Sequence, residues 1–179
     1  QEIQERSNSH RISSSPEDTL TFVLVQEFTD SEWSQEFLEG VRKTAAIFQA
    51  KLIETDAKFN IDQMASDLHQ IIKQKPDVII VSLGTSNKVK SQIKAALRQG
   101  IKVITFDNTL SEIQGLSSRI EQDDTDGARL LTKEMLDELN YQGKVAVLWA
   151  NGHPKQLRRY NVLIDQASKY PEISIVDVQ

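Results

Sequence analysis

The sequence predicts an α/β fold in which a parallel sheet carries helices on both faces. Three observations support that reading. Short apolar runs alternate with longer amphipathic stretches, the pattern of strands buried on both faces and joined by helical crossovers. Helix-stopping residues fall between the segments, with Pro76 closing one helical pattern and Gly100 another. The apolar run Val103, Ile104, Thr105, Phe106 ends abruptly at Asp107 and Asn108, and strand ends of such sheets are where polar groups meet ligands.

Residues 1–18, QEIQERSNSHRISSSPED, are polar and Ser-rich without periodicity, which reads as a disordered tail or linker. The first strand is expected over 21–26 (TFVLVQ), followed by a helix whose apolar positions include Phe37, Val41 and Phe48, and by a strand over 51–57. Ile61, Met64, Ala65, Leu68, Ile71 and Ile72 recur at helical spacing and stop before Pro76, and DVIIVSL at 77–83 reads as the third strand. A third helix, at roughly 86–99, places Val89, Ile93 and Leu97 on one face. IKVITFD then supplies the fourth strand, and residues 109–119 read as a polar loop. After an acidic turn the pattern restarts: a helix with Leu130, Leu131, Met135, Leu136 and Leu139, a strand at 144–151, a helix at 154–170, and a strand beginning at ISIVDVQ. By domain size, residues 120–179 are not expected to form a stable lobe alone.

Composition narrows the function class. The 179 residues are 39% hydrophobic and carry a net charge of −5, so nothing resembles the basic footprint of a nucleic-acid or anionic-membrane binder. The absence of cysteine excludes a disulfide framework and a thiolate zinc site. No window approaches the roughly 20 consecutive apolar residues that span a bilayer, and no signal peptide is expected within the chain.

Each candidate site has a bland counterpart. Asp107 and Asn108 also suit a turn, since Asx side chains bond their own backbone. In EFTDSEW, Asp30 and Ser31 suit helix capping, and Trp33 suits core packing. SLGTSN after the third strand lacks the spacing of a dinucleotide or phosphate loop. His10, His69 and His153 are scattered, so no metal is expected. A nucleophile elbow is also missing, and the residues give no argument for catalysis or for a cofactor.

From Thr19 to Gln179 the chain resembles the first half to two thirds of a type I periplasmic binding protein, in the branch that includes ribose-binding proteins. The resemblance is carried by DTLTFVLVQ, Trp33 with FLEGVRKTA, KPDVIIVSL, ALRQGIKVITFDN, IEQDDTDGARLLTKEML and RRYNVLIDQASKYPEISIV, taken in that order and spacing. It implies two Rossmann-like lobes closing on a ligand: a first lobe over 19–109, a crossover or hinge over 110–124, and the start of an incomplete second lobe over 125–179. It also implies ligand contacts from Asp107, with Asn108 standing where many sugar binders carry arginine, from Arg159 in the second lobe, and from an aromatic wall of Trp33 and Phe28. The implied activity is capture of a sugar or similar small polar ligand for a membrane transporter of the ABC type, by an exported protein in the periplasm or outside the cell. A sensor domain of a transmembrane signalling receptor is the alternative, and a small α/β enzyme or response regulator a third reading. Against the third, Leu83 and Gly84 occupy the place of a phospho-acceptor. The first 18 residues lack the helix-turn-helix and hinge helix of a lactose-repressor relative, which favours the exported reading.

Overall fold

The computed structural model describes residues 19–84, 86–107, 110, 112–149 and 154–179. The tail over 1–18 and Asn108 lie outside the described residues. In chain order the elements are β1 (Thr21–Gln26), α1 (Glu32–Ile47), β2 (Lys51–Asp56), α2 (Ile61–Lys73), β3 (Val78–Ser82), α3 (Asn87–Arg98), β4 (Lys102–Phe106), β5 (Ser118–Ile120), α4 (Asp124–Glu138), β6 (Gly143–Val147), α5 (Pro154–Ala167) and β7 (Ile173–Val178). The chain divides into two compact units between Ile120 and Glu121.

The first unit is the expected parallel α/β sheet. Its five strands run in the order β2-β1-β3-β4-β5, and every pairing is parallel. Alternation along the strands sorts the core into two layers. Val23 and Val25 pack with Ile79, Val81 and Val103 against Met64, Leu68, Ile71, Val89 and Ile93 of α2 and α3. Leu24, fully buried but pointing the other way, shares its face with α1, whose buried residues are Ser34, Leu38 and Ala45. Helices therefore cover both faces, as the unbroken apolar runs demand.

Local chemistry sets where the helices begin. The Ser31 hydroxyl accepts the Ser34 N–H at 3.1 Å while Ser34 Oγ accepts the Ser31 N–H at 3.1 Å, a closed capping box. Asn60, Ser86 and Asp123 cap α2, α3 and α4 through their side-chain oxygens. Gly100, at φ +78°, ends α3 in the left-handed region that glycine enters without a Cβ clash.

The stretch read as a polar loop does more than connect. Leu110 and Ile113 are buried in the α2/α3 core layer, and Ser118–Ile120 pairs in parallel with β4 as a fifth strand. Three residues with a polar beginning give too weak a pattern to be read as a strand; pairing to β4 makes it one. In the second unit β6 and β7 pair in parallel with a register shift between Val145 and Ala146, and α4 packs on α5.

Burial makes one test direct. Leu68→Ala, at a fully buried position, is expected to cost about 2–5 kcal/mol in a urea titration. Ile47→Ala, at a site 72% exposed, is expected to stay within about 0.5 kcal/mol of wild type. Equal losses at the two sites would contradict the layer assignment.

Candidate functional site

Parallel pairing brings the carboxyl ends of the first-unit strands to one edge. The register aligns Asp56, Gln26, Ser82, Phe106 and Ile120 in a single row across β2, β1, β3, β4 and β5. Beyond that row the backbone turns sharply. Leu83 and Asp107, each the first residue after its strand, adopt φ +64° and +51°. Their N–H groups donate to the Phe106 and Ile120 carbonyls at 3.0 and 2.9 Å, so each strand head is fastened to its neighbour. A left-handed leucine is costly, whereas aspartate tolerates the conformation comparatively well. The carboxylate at the end of an apolar strand thus has a backbone explanation: Asp107 is a residue suited to ending β4 in this turn, and its half-buried side chain stands at the strand head.

The loop after β1 is tied to the loop after β3. Gly84 donates its N–H to Glu27 Oε2 at 2.9 Å. Its φ is +72°, and a Cβ at this position would lie only 2.8 Å from Met64 Cε and Sδ, so any larger residue would strain the backbone and displace Met64.

Aromatic rings gather at Phe106, the residue before Asp107. Phe106 stacks on Phe37 with centroids 3.9 Å apart and planes 6° from parallel, and Trp33 lies 5.6 Å from Phe106 and 6.3 Å from Phe37. Trp33 therefore reaches the head of β4 through Phe106. Phe28 belongs to a different pair, stacked on Phe59 at 4.3 Å. Sequence reasoning did not place Phe37 and Phe106 in this ring cluster because one has the spacing of a helix core position and the other of an interior strand residue.

In the second unit Arg159 has a structural partner. Asp124, with a side chain 1% exposed, accepts from Arg159 Nε at 2.8 Å and from Arg158 Nη2 at 3.1 Å. Arg159 Nη2 also lies 2.6 Å from Asp124 Oδ1 and donates to Gln122 Oε1 at 3.3 Å. Burial acts to raise the Asp124 pKa and is the largest single influence, but hydrogen bonds from Arg159 and Arg158, with the charges of Arg159 and Lys155, outweigh it and hold the carboxyl below its ordinary value. The acidic turn before α4 was legible in the sequence; a partner 35 residues away was not.

A cavity of about 510 Å³ in the second unit is lined by Arg159, Gln156, Asp124, Trp149 and Tyr160 among others, with Trp149 stacked on Tyr160 at 4.9 Å. A larger cavity, about 750 Å³, touches Leu20, Asp77, Val78, Gly100 and Ile101 in the first unit. It lies at the amino ends of the strands, the wrong edge for ligand capture by a parallel sheet. Among the described residues no cluster of His, Asp or Glu could hold a metal ion, and no helix is long and apolar enough to cross a membrane.

Comparison with known proteins decides the family. A family model described as "Periplasmic binding protein domain" matches residues 22–179. The chain belongs to the periplasmic binding protein family. It is 24% identical over 110 residues to the ribose import binding protein of Bacillus subtilis, covering 62% of this chain and 36% of that protein. To a xylitol-binding protein of Mycolicibacterium smegmatis it is 24% identical over 147 residues, covering 82% of this chain and 42% of the relative. A solved structure of a 5-methylthioribose transporter solute binding protein from Thermotoga lettingae, in complex with 5-methylthioribose, superposes with a TM-score of 0.78 at 24% identity, over 89% of this chain and 50% of that one. The fold is that of type I periplasmic binding proteins, and the chain spans less than half the length of the two curated relatives.

The Asp124 ion pair carries a pH signature. A lowered carboxyl pKa means that the unfolded chain binds more protons than the folded one in acid, so the stabilisation is complete at neutral pH and disappears as pH falls through the ordinary value and then the lowered one. Asp124→Asn is expected to lose about 1.5–3 kcal/mol at neutral pH, with the gap to wild type narrowing in acid. Urea titrations of both proteins from neutral to acidic pH check this; a gap independent of pH rules the ion pair out as its source.

Proposed function

We propose that this protein is a solute-binding receptor that captures a sugar or related polyol for an ABC-type membrane transporter, acting outside the cytoplasm without catalysing a reaction. The observation that carries the reading is the stacked cluster of Trp33, Phe37 and Phe106 at the carboxyl end of β4, where Phe106 immediately precedes Asp107. An ionised carboxylate accepts two hydroxyl donors, and an aromatic face covers the C–H face of a sugar ring. The named ligands of the relatives, ribose, xylitol and 5-methylthioribose, belong to that chemical class.

In this reading Asp107 and Asn108 contribute hydroxyl contacts from the first unit, Trp33 the aromatic wall, and Phe28 a more peripheral face through its pair with Phe59. Arg159 contributes from the second unit. Its Nε and Nη2 are engaged by Asp124 and Gln122, so Nη1 is the donor for a ligand, held in place by the ion pair.

Calorimetric titration at the protein's natural length with D-ribose, xylitol, 5-methylthioribose and D-allose, paired with thermal melts, tests the assignment. Asp107→Asn keeps a residue that tolerates the left-handed turn and removes the charge. It is expected to weaken binding about tenfold or more and to shrink the ligand-induced rise in melting temperature, which follows RT ln(1 + [L]/Kd). Arg159→Ala is expected to weaken binding and also to lower the unliganded melting temperature, because it removes a partner of buried Asp124. Unchanged affinity in Asp107→Asn means that the carboxylate serves only the turn.

A further inference from the structure

One buried group at the head of β1 has no partner among the described residues. Gln26, the last residue of the strand, is 1% exposed, and neither its Oε1 nor its Nε2 has a hydrogen-bond partner among the described residues. A primary carboxamide carries two donors and a two-lone-pair acceptor. Burying both ends without partners is costly, and such groups survive in native structures where something outside the protein's own bonding completes them.

Position indicates what completes this one. Gln26 sits in the row of strand ends, flanked by Asp56 on β2 and by Ser82 on β3, with Phe106 next along. Chain order reverses direction at β1, which lies between β2 and β3, and the crevice at that reversal is where open parallel sheets bind ligands. Asp56 is already occupied, accepting from Thr29 Oγ1 at 2.7 Å and from the Lys58 N–H at 2.9 Å. Thr55 and Thr105 also bury hydroxyls without partners among the described residues. They fall in the strand phase of Ile53 and Val103, toward the α2/α3 layer, so Gln26 alone of these groups lies on the aromatic side of the sheet.

We propose that Gln26 is a specificity-determining residue of the ligand site, its carboxamide pairing with one hydroxyl of the bound sugar or polyol. A hydroxyl both donates and accepts, matching the amide on both counts. The assignment rests on the sugar-binding reading above. The carboxamide is covered in this structure; the rotatable bonds of its side chain, at a strand terminus, let it turn toward the strand head. A site built around such a pairing rejects an analogue lacking the hydroxyl far more strongly than an apolar pocket rejects an extra methylene.

The test replaces the amide by an apolar group of similar shape. Gln26→Met, with Gln26→Leu as a second variant, is titrated at natural length with D-ribose, xylitol, 5-methylthioribose and D-allose beside wild type, and all three proteins are melted without sugar. The expected result is binding weaker by about tenfold or more together with an unliganded melting temperature equal to or above wild type, since an unpaired polar group has been removed. Affinity equal to wild type overturns the assignment while leaving the sugar reading intact. A lower unliganded melting temperature in both variants also overturns it, because the amide then completes the fold, for example through an enclosed water. If wild type binds none of the four compounds, the sugar reading fails and this assignment fails with it.

Discussion

The in-register parallel pairing of β1 with β2 and β3 is the constraint on which the rest of the first unit depends. Residues 21–26 pair one for one with 51–56, and residues 22–26 pair with 78–82. That register alone brings Asp56, Gln26 and Ser82 level, and the β3–β4 pairing adds Phe106. Side chains alternate with period two, so a slip of one residue would send this row into the α2/α3 core and bring Val25 and Val81 to the aromatic side. The fully buried Leu24 and Val25 on opposite faces of β1 make such a slip prohibitive. Core packing therefore fixes which side chains share this edge of the sheet.

The strand heads show what that edge demands of the backbone. Leu83 and Asp107 turn into the left-handed region at the same relative place, and each is anchored by a hydrogen bond to the next strand. Outlying backbone of this kind persists where surrounding structure over-determines it, and it clusters at ligand sites. The Glu27–Gly84 bond joins the loop after β1 to the loop after β3, so the two loops flanking the reversal of strand order are coupled, not independent.

The second unit solves a different problem. Asp124 is buried at the start of α4, and its charge is kept by Arg158 and Arg159 of α5. A carboxylate removed from water without such partners would take up a proton. The ion pair ties the first turn of α4 to the amino-terminal half of α5, and it fixes the direction in which the Arg159 guanidinium points. Arg159 Nε and Nη2 are both taken up by this pairing, with Gln122 as a further acceptor.

Much was legible in the sequence because it rests on local rules. Alternating apolar runs and amphipathic stretches specified the α/β class and the succession of strands and helices along the chain, while Ser31, Pro76 and Gly100 marked helix ends by their own side-chain and backbone preferences. Asp107 was visible as an anomaly, a carboxylate ending an apolar run. Tertiary structure alone decided the rest. Ser118–Ile120 became a strand only through its pairing with β4, and Phe106 became part of an aromatic wall only when α1 laid Phe37 and Trp33 over it. Asp124 found its partners across a helix pair, and Gln26 was left without one among the described residues. Those outcomes depend on contacts between segments far apart in the chain, which no local pattern encodes; propensity and periodicity specify elements, while register and packing specify which side chains meet.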